Sequence, residues 1–208
     1  MFRNLFNFKS REEATSETWI FGTLLAFGLT GLGASFTLSA EEFFLLKHPD
    51  AVLSCSFNLV LNCATVMKTW QASVFGFPNM FVGLIGFSIV ITLALLGLSQ
   101  VKFPRWFLVG AHVGITLGTF FAYWLFFNSV YFIQVLCPWC LVVTFSMTML
   151  FATITRYNLL NNTFRVKRDV RKKIESFLEK DYDKIIVAAW VVLMIALVIT
   201  KFGSALFA

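Results

Sequence analysis

Charge is scarce in this chain. Of 208 residues only 13% are Asp, Glu, Lys or Arg, against 58% hydrophobic. A water-soluble domain is about one-quarter charged and roughly half apolar, so a soluble globular class is excluded. Histidine is nearly absent, with only His48 and His112. The cysteines are Cys55, Cys63, Cys137 and Cys140. Zinc favours duplicated Cys-x2-Cys pairs or Cys with His, and the seven residues between Cys55 and Cys63 break that pattern, so no metal site is read. Covalent haem attachment needs a histidine after Cys140, and Leu141 stands there. A cleaved secretory leader is excluded by length. Its apolar core would span about 7–15 residues, whereas Thr18 to Ala40 is 23 residues without a charge.

What is present is a series of long apolar runs. Thr18 to Ala40 is long enough for a first membrane helix, after a polar tail over 1–17. Residues 41–78 are too polar to span and too apolar for a free linker. Within them, 41–46 reads as a short helix continuing past the bilayer, 63–71 as a second short helix, and Gly76-Phe77-Pro78-Asn79 as a turn. Asn79 to Gln100 is the second span. From Trp106 to Thr155 there are 50 residues without Lys, Arg, Asp or Glu. One helix of that length would be about 75 Å, over twice the hydrocarbon core. It must fold back, with Asn128-Ser129 and Pro138 marking the hairpin. The third helix then runs from Arg105 to Phe127 and the fourth from Pro138 to Tyr157. Residues 158–184 form a strongly basic segment. Val170, Ile174, Phe177 and Leu178 share one helical face there, which fits either an interfacial amphipathic helix or a solvated, topology-setting loop. Residues 185–208 are a fifth span. The expected fold class is an all-α integral membrane protein with five transmembrane helices.

The net charge of +6 points to topology rather than to nucleic acid. The tail, the second loop and the fourth loop hold 14 of the 17 Lys and Arg residues. Lysine and arginine collect on the cytoplasmic side, which puts the amino terminus in the cytoplasm of a plasma-membrane protein. The loop carrying Cys55 and Cys63 and the start of the fourth helix then both face outward, the side where disulfides persist.

Cys137-Pro138-Trp139-Cys140 stands at that helix start. Proline suits the first helical position, which makes Cys137 the cap and places Cys140 in the first turn, about 4.5 Å deeper. Free N–H groups and the positive dipole end favour a thiolate there. Two cysteine pairs on one side suit electron relay by thiol–disulfide exchange, since sulfurs must meet in sequence. Two static disulfides in a membrane scaffold are the competing reading, although a Cys137–Cys140 bridge closes almost no loop.

Cys55 with Cys63, Thr69-Trp70, Phe75-Gly76-Phe77-Pro78-Asn79 with Gly83, and Cys137-Pro138-Trp139-Cys140 together resemble the vitamin K epoxide reductase family, its prokaryotic members most closely. The resemblance runs from about Trp19 to Tyr157. It implies a four-helix bundle around a quinone, of menaquinone or ubiquinone type, with the first loop folded over the outer end. It implies that Cys55 meets the partner, that Cys63 exchanges with Cys137, and that Cys140 lies beside the quinone. Asn79 matches an asparagine that can hydrogen-bond a quinone carbonyl, a plain helix cap being the alternative. Thr69 matches a hydroxyl near the loop thiols. Trp70 and Phe87 would wall the ring or simply pack. His112 reads as a bundle hydrogen bond, and Lys68 as a solvated cation or a thiolate's neighbour. Two departures stand out. Thr144 occupies the position where members that reduce the epoxide carry tyrosine, so quinone reduction is expected rather than epoxide chemistry. No thioredoxin-like domain is fused within these residues, so the implied partner is a separate thioredoxin-fold protein, soluble or anchored. The activity so implied is a thiol oxidoreductase driving disulfide formation, the reductive direction on vitamin K being the alternative.

Overall fold

The computed structural model describes residues 11–49, 52–56 and 60–206. Seven α-helices and no strands lie among them. In chain order they are α1 (Arg11–Lys47), α2 (Cys63–Met67), α3 (Met80–Leu98), α4 (Arg105–Asn128), α5 (Pro138–Leu160), α6 (Arg168–Glu179) and α7 (Tyr182–Leu206). Five of these, α1, α3, α4, α5 and α7, are long and apolar enough to cross a membrane, as the uncharged runs predict. The chain is a multi-pass membrane protein.

α1 is one uninterrupted helix of 37 residues. At about 1.5 Å per residue it is roughly 55 Å long and overshoots a ~30 Å hydrocarbon core. The short helix expected over 41–46 is its last turns, and the expected tail is helical from Arg11. The first ten residues lie outside the described part. α1 packs against α3 on one side and α5 on another, and α5 packs in turn against α4. Lipid tails are as apolar as leucine, so apolar burial alone does little to join such helices; close packing and polar links do. Here Phe21 of α1 lies on Gly97 of α3, while Phe87 of α3 lies on Gly31 of α1. A side chain on either glycine would collide with the ring, so these two positions admit only hydrogen.

α4 ends at Asn128, one residue past the expected Phe127, and the Asn128 amide donates back to the Trp124 carbonyl at 2.8 Å. The chain continues through a π-turn, Ser129–Ile133, and reverses at Gln134, whose φ is +57°. α5 begins at Pro138 as expected and runs three residues further, to Leu160.

α7 is fastened at three levels. At its start, Arg156 of α5 holds Asp183 at 2.7 Å and Asp181 at 3.1 Å, and Lys184 shares Asp181 at 2.9 Å. Midway, the Trp190 indole N–H donates to the Tyr123 hydroxyl of α4 at 2.7 Å, and that hydroxyl lies 2.6 Å from the Thr148 hydroxyl of α5. Near its end, Phe202 is buried against Phe126, Val130 and Leu136. α6 forms in the basic segment, and of its expected apolar stripe only Leu178 is buried.

Candidate active site

The site stands at the end of the bundle where the last turns of α1 project. Leu38 and Leu45, seven residues apart on one face of α1, pack with Leu53, Cys55, Cys63 and Cys137. The Ser54 hydroxyl donates to the Glu41 carboxylate, tying the loop to the same helix.

Two backbone segments then bring the sulfurs together. Asn62 N–H donates to the Leu136 carbonyl at 3.0 Å, and Leu136 N–H donates to the Val60 carbonyl at 2.7 Å. This parallel bridge between Leu61 and Leu136 places the residues just beyond them side by side. Asn62 also caps α2, its Oδ1 accepting from the Thr65 N–H at 3.1 Å and from the Ser56 hydroxyl at 3.1 Å. Cys63 is therefore the first helical residue of α2, while Cys137 caps α5, its sulfur accepting the Cys140 N–H at 3.4 Å.

Cys55 and Cys63 form a disulfide, their Cα atoms 5.7 Å apart, while Cys137 and Cys140 are free thiols. The Cys137 Sγ lies 3.4 Å from the Cys63 Sγ. Cys55, Cys63 and Cys137 are buried, and Cys140 is half-buried. The Cys140 side chain directed at Cys137 draws the Cys137 thiol below its ordinary pKa; burial opposes this, and the Cys140 and Trp139 N–H groups add to it. Helix-start N–H groups commonly have this effect on cysteine. A thiolate at Cys137 meets the Cys63 sulfur within the ~3–3.5 Å reach of a near-attack arrangement. The chemistry open to this geometry is exchange: a Cys63–Cys137 bond forms, the Cys55–Cys63 bond breaks, and Cys55 leaves as thiolate.

A family model for the vitamin K epoxide reductase family matches residues 23–155, more than half of the chain and all four cysteines. The chain belongs to the vitamin K epoxide reductase family. A search of curated proteins found no match. Membership and the five spans together give a membrane redox function, and an oxidoreductase. In this vitamin K epoxide reductase homologue the match stops before α6 and α7.

The other candidate residues are distributed unevenly. Asn79 holds the N-cap position of α3, but its side chain makes no cap hydrogen bond there. Its Nδ2 donates to the Gln71 carbonyl at 2.6 Å and its Oδ1 accepts the Val74 N–H at 3.2 Å, closing the 3-10 turn Trp70–Ser73. Thr69 donates to the Val66 carbonyl at 2.7 Å. Thr144 lies one turn below Cys140 and donates to its carbonyl at 2.9 Å. Trp70 is exposed and begins a run of ring contacts through Trp124, Phe121 and Phe75 to Phe77. Phe87 is buried in the inner core with Leu24 and Leu150, not among the cysteines. Lys68 donates to the Pro49 carbonyl at 3.1 Å. His112 lies between the Phe151 and Phe164 rings, and its Nδ1 is buried without a hydrogen-bond partner, so the expected bundle hydrogen bond is not made at that atom. It sits beside Phe151, eleven residues from Cys140 on α5, about 16 Å along the helix.

Sequence reasoning missed Asn62 and the Leu61–Leu136 bridge. An asparagine directly before Cys63-Ala64-Thr65 carried a cap signal. The bridge had no local signal, because it joins segments 75 residues apart.

Proposed function

We propose that this protein is a membrane thiol oxidoreductase that reoxidises a thioredoxin-fold partner outside the cytoplasm and passes the electrons to a membrane quinone. The observation that carries this reading is the 3.4 Å contact between the Cys137 thiol and a sulfur of the Cys55–Cys63 disulfide. A pair that is bridged touching a pair that is free fits relay better than it fits a static scaffold.

The orientation follows from charge. The Lys- and Arg-rich segments belong to one end of the bundle, where Phe21 meets Phe103 and Tyr157, and Arg105 donates to the Thr163 carbonyl at 2.6 Å. That end is assigned to the cytoplasm and the cysteine end to the outside.

The cycle begins with the Cys137–Cys140 pair oxidised. A partner thiolate attacks Cys55 and the Cys63 thiolate leaves. Cys63 attacks Cys137, and Cys140 leaves as thiolate. The partner's second thiolate attacks its own sulfur bound to Cys55, so the partner departs as a disulfide and frees Cys55. Cys55 then attacks Cys63, restoring the loop disulfide and freeing Cys137. The chain now has its electrons in the Cys137/Cys140 pair, the state described above. The quinone, when bound, supplies the oxidising power that accepts two electrons and two protons. Cys140, set about 4.5 Å deeper along α5 than Cys137, is the thiol that faces that acceptor. Asn79 keeps one amide hydrogen for a carbonyl, Thr144 keeps acceptor lone pairs, Trp70 offers an exposed ring face, and Phe87 supports from the packed core. Thr69 holds the loop's backbone.

The test is quinol formation by purified protein with a reduced thioredoxin-fold donor. Steady turnover with the native chain, and none with Cys137→Ala or Cys140→Ala, is expected. Full turnover in either variant would falsify the relay.

A further inference from the structure

The helix beyond the family-matched region reaches the redox site. Phe202, near the end of α7, is buried with Phe126, Val130 and Leu136. Met194, Leu197 and Val198 of α7 pack against the same group, together with Val60, Leu61 and Leu141. This cluster therefore contains both partners of the backbone bridge, Leu61 and Leu136, which place Cys63 beside Cys137. Lys201, one residue before Phe202, lies 5.6 Å over the Tyr131 ring in the π-turn that leads into Leu136.

The bridge needs such support. Among the described residues it is an isolated bridge rather than a ladder, carried by the Asn62-to-Leu136 and Leu136-to-Val60 hydrogen bonds. Two strands alone are marginal unless something packs on them. The segment 134–137 has no helix of its own, since α4 and its π-turn end at Ile133 and α5 begins at Pro138. α1 and α2 press on the cysteines from one side through Leu38, Leu45 and Met67. α7 covers the bridge with a separate cluster.

We propose that α7 is a brace for the sulfur encounter, and that Phe202 is a positioning residue holding the Leu61–Leu136 bridge in the register that keeps Cys63 in contact with Cys137. Phe202 touches no sulfur; it acts through Leu136. The proposal deepens the relay reading but rests on geometry that a cross-linking experiment reads without donor or quinone.

The experiment uses the full chain in membranes with Cys55→Ser and Cys140→Ser, leaving Cys63 and Cys137. A mild thiol oxidant then joins the two, each losing one electron and one proton to the oxidant, and the product is followed on non-reducing gels. With Phe202 intact, rapid and nearly complete joining is expected. Phe202→Ala slows it by about tenfold or more, because a displacement of ~1 Å between reacting atoms can cost on the order of 100-fold. Phe202→Leu, which refills most of the space, recovers most of the rate. Trp190→Phe, which removes the mid-helix hydrogen bond and keeps an apolar ring, leaves the rate unchanged. An unaltered rate in Phe202→Ala overturns the brace. So does an equal loss in Trp190→Phe, which would assign the effect to general undocking of α7. If the brace holds while quinol formation fails, the relay reading alone is wrong.

Discussion

The two ends of this bundle are secured in opposite ways. At the basic end the fastening is ionic: Arg156, Asp181, Asp183 and Lys184 join α5 to the start of α7. Lys184, and after it Arg156, hold the Asp181 carboxyl below its usual range. At the cysteine end the fastening is neutral and partly covalent: one disulfide, one backbone bridge and a layer of leucines. Ion pairs keep their state across ordinary pH and redox conditions. A disulfide does not, and its breaking changes which sulfur is free. The invariant hold and the exchangeable hold are thereby kept a membrane's width apart, so electron traffic at one end need not loosen the other.

The sharpest way to break that contrast is to remove a sulfur. Cys63→Ala leaves Cys55 and Cys137 without their common partner, and turnover from a protein donor is expected to fall to background in a quinol assay. Next in size is a packing change that belongs to neither end. Gly31→Leu drives a side chain into Phe87, and a loss of roughly 1–3 kcal/mol is expected, as for overpacked cores; unfolding by denaturant titration in detergent measures it. Arg156→Ala tests the ionic end. The Arg156 and Asp183 side chains are 22% and 23% exposed, between surface and buried, so a cost of about 1–2 kcal/mol is expected. Joining of Cys63 to Cys137 should proceed at the native rate in that variant, and a slowed rate would show the two ends to be coupled. Asn62→Ala removes the α2 cap and costs about 1 kcal/mol locally; faster amide exchange at Thr65 is the readout. The smallest effect concerns pH. Cys137 carries a lowered pKa, chiefly through Cys140, so its thiolate survives to lower pH than an ordinary cysteine's. In Cys140→Ala the pH midpoint of Cys137 alkylation should move upward, and an unmoved midpoint would refute that cause.

Much of this was readable in the sequence because the bilayer makes few demands and makes them strictly. A stretch as long and uncharged as Trp106–Thr155 has to be folded into two spans, and Pro138 announces where the second starts. Cys137 as a cap followed from that proline alone. The contact between Cys63 and Cys137 was implied by family resemblance but not derivable, since it depends on backbone hydrogen bonds between distant segments whose side chains, Leu61 and Leu136, carry no distinguishing chemistry. Asn128-Ser129 marked the end of α4 but not the reversal, which the π-turn delays to Gln134. Asn79 offered two readings, cap or ligand group, and the structure shows a third, a loop closure two hydrogen bonds deep. The fastening of α7 was hidden for a simpler reason: Trp190 and Phe202 look like any lipid-facing aromatic until their partners are known.

The overshoot of α1 has one more consequence. The sulfur cap leans on a rigid mast, and for a helical mast height and compass bearing are a single variable. Removing one residue between Leu38 and Glu41 lowers the top by about 1.5 Å and also swings it by about 100°. Glu41 would then point away from Ser54, and Leu45 away from Leu53. Only steps of about seven residues restore the bearing, and each shifts the cap by about 10 Å along the axis. No small change in the length of this helix can be absorbed quietly.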